Sequence, residues 1–115
     1  MASAADTVRA RFEMLVSELT AIEGVTIGGG RRGFGSDALQ VDGRIFAMVS
    51  RERLVLKLPR SRVDELIASG EGVPFDAGKA AGRPMKEWVA FERAPSAAKT
   101  RSLAREAVAF VSRRA

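Results

Sequence analysis

The sequence predicts one α+β domain spanning residues 1–115, an antiparallel β-meander packed by an N-terminal helix, a short middle helix and a C-terminal helix. Three observations support this fold class. Apolar residues alternate through the middle of the chain, two tight-turn positions interrupt the alternation, and apolar residues recur at helical spacing near both ends. A chain of 115 residues buries roughly two-thirds of its unfolded surface without disulfides or metal ions, so a single domain suffices.

The N-terminal helix is predicted from an apolar stripe. Its members are Val8, Phe12, Leu15, Val16 and Leu19. These positions share one side of an α-helix, which indicates an amphipathic helix packed on a core. Asp6 is the expected N-cap, and Glu23-Gly24 is the expected end of the helix.

The central meander is predicted from alternating apolar residues. A short strand at Val25–Ile27 is followed, after a glycine-rich loop, by predicted strands at Ala38–Val41, Arg44–Ser50 and Arg53–Leu58. Asp42-Gly43 and Arg51-Glu52 are the expected two-residue turns. Asp-Gly is a strong hairpin signal, because such a turn needs positive φ at both central positions.

Two-residue turns determine which side chains share a face of the meander. One face then carries Ile45, Ala47, Val49, Leu54, Leu56 and Leu58, and the other carries Leu39, Val41, Phe46, Met48 and Val55 beside Arg44, Arg53 and Lys57. The helices cover one face, and we expect a second copy of the chain to cover the other. Phe46, Met48 and Val55 are the expected anchors of this homodimer. A shifted register or a docked C-terminal helix would remove the interface.

The remaining elements follow a proline stop. Pro59 ends the meander, and Gly70 ends a short helix that buries Val63, Leu66 and Ile67. A loop rich in Gly and Pro then leads to a predicted strand at Met85–Glu92. Pro95-Ser96 opens the last helix. Its expected buried stripe is Leu103, Ala107, Phe110 and Val111.

The amino-acid inventory argues against most catalytic chemistry. The chain has no cysteine, hence no disulfide or thiol nucleophile, and no histidine, the usual general base near neutral pH. A base would have to be a perturbed Asp, Glu or Lys, and no spacing in the sequence brings such groups together. We therefore expect no enzyme activity, no catalytic residues, no metal and no cofactor.

The sequence also predicts a cytoplasmic protein without membrane contacts. The N-terminus lacks the apolar core of a signal peptide, and no segment is long enough to span a bilayer. The absence of cysteine suits a reducing compartment.

The formal charge of +5 is unevenly distributed, with basic clusters in residues 31–62 and in the tail from Arg93. Clustered arginines neutralise phosphates and so favour nucleic acid, DNA in particular, as a partner. A solvated basic surface is the alternative, since arginine outnumbers lysine and alanine is abundant, as in chains translated from GC-rich genomes. The sequence alone leaves both interpretations open.

Two local features bear on phosphate binding. The loop GGGRRGFG has the glycine spacing of a dinucleotide site, but strands follow it where that motif needs a helix, so we reject a nucleotide site. The loop either holds phosphate through its amides and arginines or is a turn that uses glycine for positive φ. Trp88 is expected to pack in the core or at a subunit interface, with stacking on a nucleic-acid base as the alternative.

Three segments, FGSDALQVDGRIFAMVS, RLVLKLP and RPMKEWV, resemble in order and spacing the TfoX N-terminal-domain and YjbR-like group of small bacterial proteins. The resemblance covers nearly the whole chain. It departs before Trp88, where Ala77 replaces a common proline and Ala80-Ala81 lengthens the loop. The resemblance implies a curved antiparallel sheet packed by helices, in a group described as DNA-binding or linked to natural competence. TfoX proteins proper carry a second helical domain, so a competence-regulator role is not carried over.

Two functions from different classes are predicted. The first is a non-enzymatic domain that binds the backbone phosphates of DNA through Arg31, Arg32, Lys79, Arg83 and Lys86. The second is a homodimeric protein-interaction or chaperone-like module without a nucleic-acid role. The two are compatible, because a dimer doubles the basic surface, and only the resemblance favours the first.

Overall fold

The computed structural model of the protein describes residues 4–27, 38–75 and 86–113, which form three α-helices and six β-strands. The elements are α1 (Ala4–Leu19), β1 (Val25–Ile27), β2 (Ala38–Val41), β3 (Arg44–Ser50), β4 (Arg53–Lys57), α2 (Arg60–Ala68), β5 (Val73–Pro74), β6 (Trp88–Phe91) and α3 (Ala97–Arg113). The strands form one antiparallel sheet in the order β1-β2-β3-β4-β6-β5. The predicted α+β class is confirmed, and β5 is an element that the sequence did not reveal.

The main hydrophobic core lies between the helices and one face of the sheet, which we call the helix face. Buried side chains from all three helices join one cluster with residues of β2, β3, β4 and β6. Its large, fully buried members include Leu15, Leu19, Leu66, Leu103, Leu54, Leu56 and Phe91. The apolar stripes predicted for the three helices are confirmed, with Val16, Ile67 and Phe110 half-buried at their margins.

Both predicted two-residue turns are confirmed by the register of the strands that they join. Val41 pairs with Arg44 across the first turn, and Ser50 pairs with Arg53 across the second. The first turn places Asp42 at φ 54° and Gly43 at φ 82°, whereas the second places Arg51 at φ 53° and Glu52 at φ 65°. The second turn therefore holds two residues with a β-carbon in the left-handed region, where their backbone is strained.

The predicted end of α2 and the predicted start of α3 are confirmed, but both predicted ends of α1 are wrong. Gly70, at φ 83°, ends α2, and Ser96 caps α3 by accepting a 3.1 Å hydrogen bond from the backbone N–H of Lys99. The prediction that Asp6 is the N-cap of α1 is wrong, because the helix already begins at Ala4. Asp6 lies in the first turn, where its charge favours the helix dipole. α1 ends at Leu19, four residues before Glu23, and turns lead from there to Gly24 at φ 90°.

A β-bulge in β3 changes which residues face the helices. Leu39 pairs with Ala47 and Gln40 pairs with Ile45, so Phe46 is an extra residue without a partner in β2. As a result, Phe46 and its neighbour Ala47 both enter the helix-side core. The prediction that Phe46 lies on the opposite face is wrong, because it assumed uninterrupted alternation.

The bulge also corrects the predicted position of β2. Leu39 and Val41 lie in the helix-side core, not on the second face where the sequence pattern placed them. Since Leu39 pairs with Ala47 instead of Phe46, its side chain shares the face of Ala47. The helix face is therefore richer in large apolar residues than the sequence indicated.

The second face of the sheet carries a smaller apolar cluster. Val55, Phe75 and Ala90 are buried there, and Met48, Val73 and Trp88 pack against them. Phe75 follows β5 and is only 3% exposed, so a residue of the same chain occupies part of the surface that we expected a second copy to cover.

The three predicted dimer anchors are unequally placed. Phe46 and Val55 are fully buried within one chain, and only Met48 keeps partial exposure. The described residues therefore do not present the continuous apolar patch that motivated the interface. The homodimer itself stays a prediction.

Replacement of Phe46 tests the bulge. We expect Phe46→Ala to lower the free energy of unfolding by about 3–5 kcal/mol, because it empties a fully buried position between the sheet and the helices. Met48→Ala, at a half-buried position on the second face, should cost about 1 kcal/mol. Urea unfolding followed by circular dichroism measures both. Equal costs would contradict the assigned bulge.

The Arg51-Glu52 turn predicts a stabilising substitution. Glu52→Gly should raise the free energy of unfolding by roughly 0.5–1 kcal/mol, because glycine adopts positive φ without a steric penalty. Gly43→Ala should have the opposite effect through its φ of +82° alone, since no atom lies within 4 Å of the added β-carbon. Thermal unfolding measures both variants, and a less stable Glu52→Gly would contradict the turn.

Candidate nucleic-acid interface

One end of the sheet gathers basic residues from several elements. β3 and β6 begin at this end and β4 ends there, because neighbouring strands are antiparallel. Arg44 opens β3, Lys57 closes β4, and Trp88 opens β6 as the direct partner of Lys57. Arg60, the first residue of α2, follows shortly after Lys57. Antiparallel pairing thus brings together residues that are far apart in the sequence.

Three neighbouring surface pockets lie at this end. The first, of about 480 Å³, is lined by Lys57, Arg60, Lys86, Glu87 and Trp88. The second, also of about 480 Å³, is lined by Gly43, Arg44, Ile45, Lys57, Trp88 and Val111. The third, of about 200 Å³, includes Arg60, Lys86 and Trp88. Because the pockets share lining residues, we treat them as one surface, the basic groove, defined by Arg44, Lys57, Arg60, Lys86 and Trp88.

Trp88 lies in the middle of the basic groove. It contributes to all three pockets and is partly exposed. The Lys57 ammonium lies 5.2 Å from the centre of the indole ring, in a cation–π contact. The Phe75 ring is 6.3 Å away, centroid to centroid, at an interplanar angle of 52°. Trp88 therefore packs on the second-face cluster, as expected from the sequence, and also contributes aromatic surface to the groove.

The groove has an excess of positive charge. Its four basic residues face two acidic lining residues, Glu87 and Asp64. The Lys57–Glu87 and Arg60–Asp64 ion pairs are both 4.0 Å long, at the limit of direct contact. The Arg60–Asp64 pair is solvent-exposed, and the Lys57–Glu87 pair is half-buried. Ion pairs this long stabilise weakly, so both cations remain accessible to an anionic ligand.

The basic residues of α3 have a different environment. Arg101 donates a 2.7 Å hydrogen bond to Glu18 of α1, and the Lys99 ammonium lies 2.8 Å from the Glu71 carboxylate. Arg62 of α2 in turn contacts Glu106 of α3 at 3.1 Å. These pairs join different elements of the fold at short distance. Lys99 and Arg101 of the basic tail noted in the sequence are therefore engaged in holding α3 in place.

The predicted nucleic-acid contacts can be compared with the groove only at one position. Lys86 lies in the groove, as an exposed residue just before β6. Arg31, Arg32, Lys79 and Arg83 lie outside the described residues, so their roles stay predictions.

The sequence pattern placed Arg44 and Lys57 in a basic stretch and on the second face of the meander, but it did not connect Arg60 with Trp88. Their positions at element ends were the available signal, because both turns predict antiparallel strands. The sequence did not predict β5, and it did not predict which strand pairs with the edge of β4 that is not paired with β3. In the structure that strand is β6. Without that neighbour, Trp88 could not be assigned to the same end as Lys57.

Few other candidate sites occur among residues 4–27, 38–75 and 86–113. In these ranges no group of three or more Asp, Glu, His or Cys side chains could hold a metal ion. No helix that they contain is long and apolar enough to cross a membrane. Every buried side-chain polar atom that the structure describes has a hydrogen-bond partner. The basic groove is thus the clearest candidate site in the described part of the chain.

The ion pairs around α3 shift the protonation of two carboxyl groups. The hydrogen bond from Arg101, aided by the charge of Arg101, lowers the pKa of Glu18 below its ordinary value of 4.5. Hydrogen bonds from Lys99 and Ser69 lower the pKa of Glu71 in the same direction. A carboxyl group with a lowered pKa in the folded protein stabilises the fold when it is charged.

Comparison with protein-family models finds one match. Residues 20–111, about four-fifths of the chain, match the TfoX N-terminal domain. The matched region contains all six strands, α2 and every residue of the basic groove. Neither a search of curated proteins nor a search of solved structures finds a match to the chain.

Acid titration of stability tests the two shifted carboxyl groups. The contribution of Glu18 and Glu71 to the free energy of unfolding is fully present above pH 4.5, the ordinary pKa of a glutamate. It is lost as the pH falls through their lowered pKa values in the folded protein. The Glu18→Gln/Glu71→Gln variant should therefore lose less stability than the wild type between neutral and acidic pH. Urea midpoints at several pH values measure the loss.

A matched control for this titration is Glu13→Gln/Glu23→Gln, which removes two exposed carboxylates. We expect the control to follow the wild-type pH dependence. If both double variants flatten the pH dependence equally, the ion pairs with Arg101 and Lys99 are not its source.

Proposed function

The chain belongs to the TfoX N-terminal domain family, and from this premise we propose that it is a small non-enzymatic domain that binds DNA by contacting backbone phosphates in the basic groove. The observation that carries the proposal is the convergence of four cations around one partly exposed tryptophan. Family membership supports the proposal of a small non-enzymatic domain, and the basic groove supports the proposal that its ligand is DNA.

The chemistry of the groove suits a polyanion that carries phosphates. Four basic side chains, from β3, β4, α2 and the turn before β6, line one surface, and the ion pairs of Lys57 and Arg60 are both 4.0 Å long. Contact with phosphates releases condensed counterions from DNA, which provides most of the affinity of sequence-independent binding. An exposed surface of separate cations suits this mode, because a polyanion offers many equivalent phosphates.

A non-enzymatic role is proposed from the residue inventory. The chain lacks both histidine and cysteine, so the usual general bases and thiol nucleophiles are unavailable. Neither a cofactor nor a metal ion is needed for phosphate contacts by lysine and arginine. A cytoplasmic location and contributions from Arg31, Arg32, Lys79 and Arg83 stay predictions of the same proposal.

DNA binding is preferred to the protein-interaction alternative for a structural reason. Two of the three expected dimer anchors, Phe46 and Val55, are fully buried within one chain. The basic groove, in contrast, is solvent-accessible in a single copy. The proposed function therefore does not require a dimer.

The salt dependence of binding tests the proposal. Fluorescence anisotropy with a labelled DNA duplex should show affinity that falls steeply with salt, by roughly one unit of log–log slope for each neutralised phosphate. Lys57→Gln, Arg60→Gln and Lys86→Gln should each weaken binding and reduce that slope by about one. Each variant removes one cation of the groove.

Arg93→Gln is the matched control. It removes the same charge from an exposed residue beyond the far end of β6, opposite to Trp88. Arg93→Gln should leave the slope unchanged. Absence of binding at low salt would refute the proposed function, and equal effects of all four variants would show that net charge matters and the groove does not.

A further inference from the structure

We infer that the basic groove binds single-stranded DNA with one base stacked on Trp88. This inference rests on the proposed function and specifies which form of DNA is bound. The proposal follows from the position of Trp88 within the groove. In a duplex the bases are stacked inside and only the backbone meets a shallow basic surface. A single strand, however, presents the face of a base together with its phosphates.

Cations lie on both sides of the tryptophan. Arg44 shares with Trp88 the pocket that extends towards β3 and α3, and Arg60 and Lys86 share with it the pocket that extends towards α2. Lys57 lines both pockets. A nucleotide within a strand likewise has a phosphate on each side of its base. The order cation, aromatic ring, cation therefore complements the order phosphate, base, phosphate.

The width of this arrangement also fits a short stretch of one strand. Arg44, Lys57 and Trp88 come from the adjacent strands β3, β4 and β6. Neighbouring strands are about 4.8 Å apart, so the three positions span about 10 Å across the end of the sheet. Such a span accommodates one or two nucleotides of a single strand.

The contact between Lys57 and Trp88 does not prevent stacking. A cation–π contact changes an equilibrium constant by about 2- to 30-fold, depending on its burial, whereas a base stacked on an aromatic side chain changes it by about 5- to 150-fold. A base can therefore displace the Lys57 ammonium from its position 5.2 Å from the ring. The displaced ammonium is then next to the phosphate of the same nucleotide.

Intrinsic fluorescence gives a direct test, because Trp88 is the only tryptophan in the chain. The wild-type protein is titrated with a short oligothymidylate, with an abasic oligonucleotide of equal length and with a duplex of equal length. We expect the oligothymidylate to quench Trp88 and to bind at least 5-fold more tightly than the abasic strand. The abasic strand carries the same phosphates, so this difference reports the base.

Variants of Trp88 supply the second arm. Trp88→Leu should make the affinities for the oligothymidylate and the abasic strand equal while leaving the salt slope unchanged, because no cation is removed. Trp88→Phe should retain part of the preference, since a phenyl ring still stacks. Circular dichroism and urea midpoints check that each variant is folded. If a variant is unfolded, the comparison of oligothymidylate with the abasic strand still tests the proposal on the wild-type protein.

The possible failures are distinguishable. Binding to all three DNA molecules without quenching, and with equal affinity for the thymidylate and abasic strands, would overturn stacking on Trp88 and leave the proposed function intact. Tighter binding to the duplex than to the oligothymidylate would also overturn the inference. No binding to any DNA at low salt would overturn the proposed function itself.

Discussion

Burial of Phe46 between the sheet and the helices is the packing constraint on which much of this fold depends. Phe46 and Phe91 are the largest fully buried side chains among the described residues. A regular β3 would direct Phe46 away from the helices and leave a cavity beneath them. The bulge leaves one residue of β3 unpaired, but burial of a phenylalanine contributes about 1.5–3 kcal/mol, which exceeds the value of a typical hydrogen bond. The bulge also increases the local twist of the strand, which helps the sheet to curve around the helices.

The second face takes its character from the same constraint. Since Leu39, Val41 and Phe46 belong to the helix face, fewer large side chains remain opposite. Val55 and Ala90 are small enough for Phe75 to pack over them. Two aromatic residues of this face also attract cations, since the Arg53 guanidinium lies 5.8 Å from the Phe75 ring just as Lys57 lies near Trp88. The face is thus bordered by positive charge at both ends of β4.

Local signals predicted most of the fold, and non-local pairing accounts for what they missed. Asp42-Gly43, Gly70 and Ser96 act through their own backbone or a neighbour's, so the sequence reveals them directly. A bulge depends on how β2 and β3 fit the helices, and alternation alone does not encode it. The two-residue strand β5 is too short to show any period. For the candidate site, the sequence located Lys86 and raised base stacking for Trp88, but the grouping with Arg44, Lys57 and Arg60 depends on strand order.

Short and long ion pairs separate the structural cations from those that are available to a ligand. In the sequence, Arg101 and Arg60 are equivalent, since each is a basic residue on a predicted helix. In the fold, Arg101 lies 2.7 Å from a carboxylate of another helix, whereas Arg60 lies 4.0 Å from a carboxylate of its own helix, with both side chains more than half exposed. Displacing Arg101 would break an ion pair between α1 and α3, whereas the ion pair that Arg60 forms with Asp64 lies within α2. The cations at the end of the sheet are therefore more available to a polyanion than those along α3, although both regions carry basic residues, and net charge alone does not locate the candidate site.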